Sequence, residues 1–233
     1  MIKTILFDLD GTLLPMDQDE FVKYYFGYLA RTMEPYGYEK DNLIAAIWTG
    51  TGAMTGNDGT CTNEERFWKT FEKITGRRRE DEEERFYQFY QTGFQKAKAV
   101  CGYNPLAADT VRKLKEKGYQ VVLATNPLFP SVATESRIRW AGLEPEEFLD
   151  YTTYENCTYC KPNVKYYEEI CRKLGLDPNE CMMVGNDAAE DLPAAELGMK
   201  TYIITDCLIN LKNIDLTDIE KGSFEDFQKY MGL

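Results

Sequence analysis

Asp8 and Asp10 close the apolar run Ile2–Asp8, and Gly11 and Thr12 follow directly. Side chains two residues apart on an extended chain point to the same side, roughly 6–7 Å apart along it. Both carboxylates therefore sit at the carboxyl end of a buried strand, where open α/β sheets place their sites. Gly11 permits a tight turn immediately afterwards. Two carboxylates so placed can serve as acid, base, nucleophile or metal ligand. Taken alone, the pair also reads as an acidic turn that merely ends a strand.

Three later segments bear on that choice. A second apolar run ends in Ala124-Thr125-Asn126, which sets a hydroxyl and an amide at the same sheet edge. Both groups can hold phosphate oxygens, although polar residues also end strands for no other reason than to turn. Lys161-Pro162 opens the helix after a third run. A cation there can neutralise charge on a transferring group and on its nucleophile; an isolated surface Lys is merely solvated. A fourth run ends in Val184-Gly185-Asn186-Asp187, with Asp191 four residues further on. Asp187 and Asp191 share a face of the helix that starts there. Asp187 followed by Glu190 also reads as a helix-capping pair. Capping and metal binding are compatible, since each needs only one carboxylate oxygen. Hard oxygen donors from Asp8 and Asp187 suit Mg²⁺, which uses one or two carboxylates together with waters and a substrate phosphate.

The elements that must position these residues are legible as periodicity. Five short apolar runs predict buried strands: Ile2–Asp8, Gln120–Asn126, Phe148–Tyr154, Cys181–Gly185 and Lys200–Thr205. Helical stretches lie between them, Leu106–Lys117, Ser131–Ala141, Asn163–Leu174 and Ala189–Leu197, each stopped by a glycine. Strands alternating with helices predict an α/β fold with a Rossmann-like parallel sheet, helices on both faces and right-handed crossovers. The first strand breaks the rhythm. From Pro15 to about Ala97 no strand is convincing, and Glu20–Met33, Glu39–Trp48, Asn63–Ile74 and Glu80–Lys98 show helical spacing of aromatics and aliphatics. Residues 15–97 are thus expected to form an inserted helical domain, with 1–14 and 98–233 as the core. Within the insert, Thr49–Thr62 carries four glycines and reads as a long flexible loop, either functional or a mobile connection. Arg31, Arg66 and Lys69 either meet a substrate or are solvated helix-surface charges.

Bulk composition narrows the function. At 233 residues the chain can bury a sizeable core, as one domain with a large insertion or as two small ones. A net charge of −12 argues against nucleic acid or an anionic membrane as partner. No apolar run is long enough to span a bilayer, and the N-terminus does not read as a secretory signal; a cytoplasmic protein is expected. The chain has no histidine, which removes histidine triads, His-ligated zinc and HExxH chemistry. Seven cysteines, an odd number, point to reduced thiols rather than a disulfide framework. A four-thiolate zinc site from Cys157, Cys160, Cys171 and Cys181 is the competing reading.

The four chemistry-bearing segments, in this order and at the ends of these strands, resemble the haloacid dehalogenase-like hydrolase superfamily. Asp8-x-Asp10-Gly11-Thr12 matches its first motif, Thr125 the second, Lys161 the third, and Asn186/Asp187 with Asp191 the fourth. The resemblance spans the whole chain, including a helical cap inserted after the first motif. It implies a strand order 5-4-1-2-3 in the count above, a cap that closes over the site, and Mg²⁺ as cofactor. It also implies roles. Asp8 is the nucleophile that becomes an aspartyl-phosphate. Asp10 protonates the leaving alkoxide and later deprotonates water. The Asp8 carboxylate, the Asp10 backbone carbonyl and Asp187 bind the metal. Thr125 and the Asn126 amide hold phosphoryl oxygens, and Lys161 balances charge while Asp191 orients it. The family often has Asp directly after the glycine of its fourth motif; here Asn186 stands there, which moves the metal ligand to Asp187. Halide leaves without a proton whereas an alkoxide needs one, so Asp10 favours a phosphatase or phosphomutase over a dehalogenase. The expected function is an Mg²⁺-dependent hydrolase of a small phosphorylated metabolite. A phosphomutase, or a binding or regulatory protein on the same fold, is the alternative.

Overall fold

The central strand β1 (Thr4–Phe7) is buried along its whole length, and alternation along it assigns its side chains to two cores. Ile5 and Phe7 face one apolar cluster and Leu6 faces the other. A computed structural model describes residues Met1–Leu233. In it β1 pairs in parallel with β2 (Gln120–Leu123) on one side and β3 (Cys181–Gly185) on the other. The sheet continues through β4 (Lys200–Ile204) to the two-residue β5 (Lys221–Gly222), giving the order β2-β1-β3-β4-β5. All pairings are parallel.

This is the expected order read from the opposite edge, with two differences. The strand expected at Phe148–Tyr154 lies beside β2 as foreseen, but it is reduced to a single bridge between Leu123 and Tyr151. Three backbone bonds still tie this segment to β2, and the Thr152 hydroxyl adds a 2.6 Å bond to the Thr125 carbonyl just beyond it. At the far edge β5 was not expected, since two residues carry no periodicity.

Nine α-helices accompany the sheet. Four form a layer between β1 and β2: α1 (Gln18–Met33), α2 (Lys40–Thr55), α3 (Asn63–Thr75) and α4 (Arg79–Gln91), followed by a 3₁₀ segment at Phe94–Val100. The sheet is flanked by α5 (Pro105–Glu116), α6 (Ser131–Trp140), α7 (Val164–Leu174), the short α8 (Ala188–Asp191) and α9 (Phe224–Met231). The four glycines expected to stop helices, Gly118, Gly142, Gly175 and Gly198, all take positive φ, between 66° and 91°.

Two helix expectations are corrected. Glu80–Lys98 is α4 plus the separate 3₁₀ segment, and Ala189–Leu197 is α8 plus a 3₁₀ turn at Leu192–Leu197. The glycine-rich stretch Thr49–Thr62 is not a long flexible loop: α2 runs through to Thr55. Gly50 is buried in that helix, and a Cβ there would meet the Phe67 ring at 2.6 Å. Glycine here allows α2 and α3 to approach closely and does not loosen the chain. The short remainder is also tied down. Tyr159 Oη donates to the Asp58 carbonyl at 3.1 Å, and Asn63 N donates to the Cys157 carbonyl at 2.9 Å. Arg66, weighed as a substrate contact, instead grips this turn through Asn57, Asp58 and Thr60.

The helical layer and the sheet share one apolar core. Phe94 stacks on Trp140 of α6 with ring centroids 5.2 Å apart, and Phe21 and Tyr25 of α1 pack on Phe129. The two chain crossings between layer and sheet run side by side, as an antiparallel bridge from Met16 to Cys101 and a 2.7 Å bond from Gly102 N to the Pro15 carbonyl. No helix is long and apolar enough to cross a membrane.

Candidate active site

Parallel pairing brings the carboxyl ends of β1, β2 and β3 to one edge, so Asp8, Thr125 and Asn186 arrive together although far apart in sequence. The centre of the edge is a buried ion-pair chain. Lys161 Nζ lies 2.9 Å from Asp8 Oδ1 and 2.7 Å from Asp191 Oδ1, with no exposed side-chain surface. Burial alone would push the Lys161 ammonium down, but Asp191 and then Asp8 raise its pKa well above the usual lysine value. Burial pushes the Asp191 carboxyl up to about 6, with Lys161 opposing. Asp191 Oδ2 accepts from Asp187 N at 3.1 Å, so this carboxylate fixes both the lysine and the turn after β3. A Cβ on Gly185 would collide with it, which is why glycine precedes Asn186.

The loop after β1 is locked to the loop after β3. Gly11 has φ +85°, and the Asn186 amide packs where its Cβ would be. The Thr12 hydroxyl lies 3.0 Å from Asn186 Oδ1 and 3.2 Å from Asp8 Oδ2. Asn186 Nδ2 donates to the Cys207 carbonyl at 2.7 Å. Asn186 is therefore buried with both ends of its amide engaged.

Asp187 caps α8 with one oxygen. Its Oδ1 accepts from Ala189 N at 2.8 Å and Glu190 N at 3.2 Å, and Oδ2 carries no hydrogen bond. Thr125 is buried at the cleft wall, its carbonyl held by Thr152 and Tyr166. The Asn126 side chain is already occupied: Nδ2 donates to Glu190 Oε1 at 2.9 Å, and Oδ1 accepts from Lys161 N at 3.2 Å. It holds Lys161 in register, leaving little of the amide for a phosphoryl oxygen.

Two residues in the site were not foreseen. Arg137 of α6 is fully buried and pairs through Nη1 with Asp10 Oδ2. Its guanidinium carbon stands 4.4 Å from the centre of the Phe129 ring, a cation–π contact. Burial raises the Asp10 pKa above the usual carboxylate value, against the opposing Arg137 charge. Asp10 Oδ1 is buried without a partner, and the Asp10 carbonyl accepts no backbone hydrogen bond. Glu190 is the second; burial pushes its carboxyl up to about 8. Neither has a sequence signal, because an Arg mid-helix or a Glu in a first turn is ordinary.

The carboxylates of Asp8, Asp10, Asp187, Glu190 and Asp191, with Thr125, Asn126 and Asn186, line a cavity of about 190 Å³, with Lys161 and Arg137 buried behind them. A cation beside an aspartate, a second aspartate with a raised pKa and a hydroxyl-bearing wall can together accept a phosphoryl group and move a proton.

Comparison with known proteins agrees. A family model described as haloacid dehalogenase-like hydrolase matches residues 2–198. The pyrophosphatase PpaX of Bacillus cereus is 26% identical over 207 residues, covering 88% of this chain and 83% of that protein. Among solved structures, a predicted phosphoglycolate phosphatase from Haemophilus somnus superposes with a TM-score of 0.60 at 19% identity, covering 99% of this chain and 98% of that one. A Bacillus subtilis HAD-hydrolase, YfnB, described as bound to magnesium, gives 0.58 at 17%, covering 100% and 99%. These two likenesses show the shared fold. The chain belongs to the haloacid dehalogenase-like hydrolase family.

Proposed function

We propose that the protein hydrolyses a small phosphate monoester, with Asp8 as nucleophile. The observation that carries this is Lys161 Nζ set between Asp8 and Asp191 at 2.9 and 2.7 Å, with both carboxylates lining a cleft at the carboxyl edge of the sheet. In the first step an Asp8 oxygen bonds to phosphorus while the bond from phosphorus to the ester oxygen breaks. Asp10 gives its proton to that oxygen, and its raised pKa favours the protonated form this needs. In the second step Asp10 takes a proton from water, the water oxygen bonds to phosphorus, and the link to Asp8 breaks. Lys161 offsets the charge gathering on the phosphoryl oxygens, and Asp191 keeps it in place. The Thr125 hydroxyl borders the phosphoryl position, and Asn126 acts by holding Lys161 and Glu190. Residues 15–97 act as a cap over a core of 1–14 and 98–233.

The donor set fits Mg²⁺. No three acidic side chains converge tightly enough to hold an ion alone. Asp187 Oδ2 and the Asp10 carbonyl are free hard oxygens, however, and Asp8 is the third donor. Mg²⁺ completes such a set with water and substrate oxygens. When bound it supplies positive charge to the phosphoryl group. Asn186 stands behind this set as a tether.

The test is phosphate release from a panel of small esters with Mg²⁺, run beside Asp8→Asn. Release should fall by at least about a thousandfold in the variant, with a thermal melt that stays cooperative; full activity would remove the nucleophile. EDTA should stop turnover and Mg²⁺ restore it; turnover unchanged in excess chelator would remove the metal.

A further inference from the structure

The phosphate-sized cleft opens onto a second cavity of about 250 Å³ between the helical layer and the sheet. Asp10, Gln18, Leu128 and Phe129 line both. Of the second cavity's 17 lining residues 13 are hydrophobic, and none is Lys or Arg. Its walls are ring faces and aliphatic chains, among them Phe21, Ile47, Phe67 and Phe86. The hydroxyls of Tyr25 and Tyr90 bond to each other at 3.1 Å, so these tyrosines also present apolar surface. The Trp68 indole N–H is buried in the same wall, with no well-formed hydrogen bond.

On the reading of Asp10 as the acid that protonates the ester oxygen, we infer that this second cavity takes the alcohol part of the substrate. The substrate is then a phosphate monoester of an apolar, aromatic-sized alcohol. Asp10 sits where the two cavities meet, so the ester oxygen must lie there, with phosphorus on the polar side and carbon on the apolar side. A cavity near 150 Å³ lined by apolar residues can admit a benzene ring, so this one holds a ring with a short linker. The two cavities, about 190 and 250 Å³, together reach the roughly 300–1,000 Å³ of usual small-molecule sites. A leaving group that is itself an anion finds no cation in this wall, and an unpaired buried charge is costly. The two guanidiniums that stand over rings of this wall are already committed, Arg137 to Asp10 and Thr134, and Arg79 to Glu64 and Glu83. The pocket therefore differs from what pyrophosphate or phosphoglycolate would need.

The experiment compares kcat/KM for 2-phenylethyl phosphate, ethyl phosphate, phosphoglycolate and pyrophosphate with Mg²⁺. It also compares binding of benzylphosphonate with methylphosphonate by calorimetry. The phenylethyl ester should exceed ethyl phosphate by at least about tenfold, and both anionic-leaving-group substrates should trail it. Thr51→Trp, which fills the cavity from α2, should narrow the phenylethyl-to-ethyl ratio. Equal values for the two esters, or preference for pyrophosphate or phosphoglycolate, would overturn the inference while leaving the hydrolase reading intact. If no ester is turned over, the hydrolase reading fails and the phosphonates decide the pocket. Tighter benzylphosphonate binding, weakened by Thr51→Trp, upholds it; equal binding of the two overturns it.

Discussion

On the sheet side of the cleft, one ammonium touches two carboxylates within 3 Å, and each neighbouring loop is fixed by a named donor and acceptor. On the helical side, Phe21, Tyr25, Phe94 and Phe129 meet edge-on or tilted at centroid distances between 5.5 and 6.4 Å, with no polar atom required. The first wall depends on a few directional bonds between charges that are costly to bury unpaired. The second depends on many weak contacts that depend on volume more than on direction. The polar wall should therefore fail as a unit when one member is lost, whereas the apolar wall should degrade in proportion to the volume removed.

Lys161→Met tests the first half. It leaves Asp8 and Asp191 buried and facing each other, and should cost about 3–5 kcal/mol in urea unfolding. Adding Asp191→Leu should recover part of that loss, because the two sites are coupled. A cost below about 1 kcal/mol for the single variant would mean that the triad does not hold this edge together. Phe94→Ala tests the second half. Phe94 is fully buried against Trp140, Tyr90 and Phe21, and its truncation should cost about 3–4 kcal/mol. Phe94→Leu should cost less than about 1.5 kcal/mol, while Lys161→Arg should give no comparable relief, since a planar guanidinium cannot replace a compact ammonium between two carboxylates. Similar losses for the two conservative changes would erase the contrast.

Glu190 sharpens the comparison through pH. Burial holds its folded-state carboxyl near 8, against about 4.3 for an unfolded glutamate. The folded protein keeps a proton that the unfolded chain has released, so stability is fully present below about pH 4 and is lost as pH rises through 8. Metal-free Glu190→Gln should flatten that decline and be about 1 kcal/mol more stable than the parent at pH 8, the partial exposure of the group being allowed for. An unchanged slope of melting temperature against pH would remove Glu190 as its source. The smallest effect is expected at Arg66→Ala, which frees the 57–60 turn at about 1 kcal/mol and should speed amide exchange there without altering the ester preference. A changed preference would make Arg66 a substrate contact after all.

The sequence alone determined where the central strands lie and the candidates Asp8, Asp10, Thr125, Lys161 and Asp187; the order of those strands came with the family resemblance. These are local matters: a buried parallel strand is a short apolar run, and its carboxyl end follows from the chain direction. The same locality explains what could not be read. Two residues of β5 have no period to detect, and Gly50 in α2 is indistinguishable from a loop glycine until the Phe67 ring is placed against it. Only the tertiary structure decided that Arg137 meets Asp10, that the Asn126 amide is already used, and that aromatic residues from four helices and the Leu128–Pro130 turn enclose an apolar cavity beside the acid. Each of those depends on residues brought together by packing across more than sixty positions of chain, and no spacing in the sequence encodes which long-range neighbour a side chain will meet.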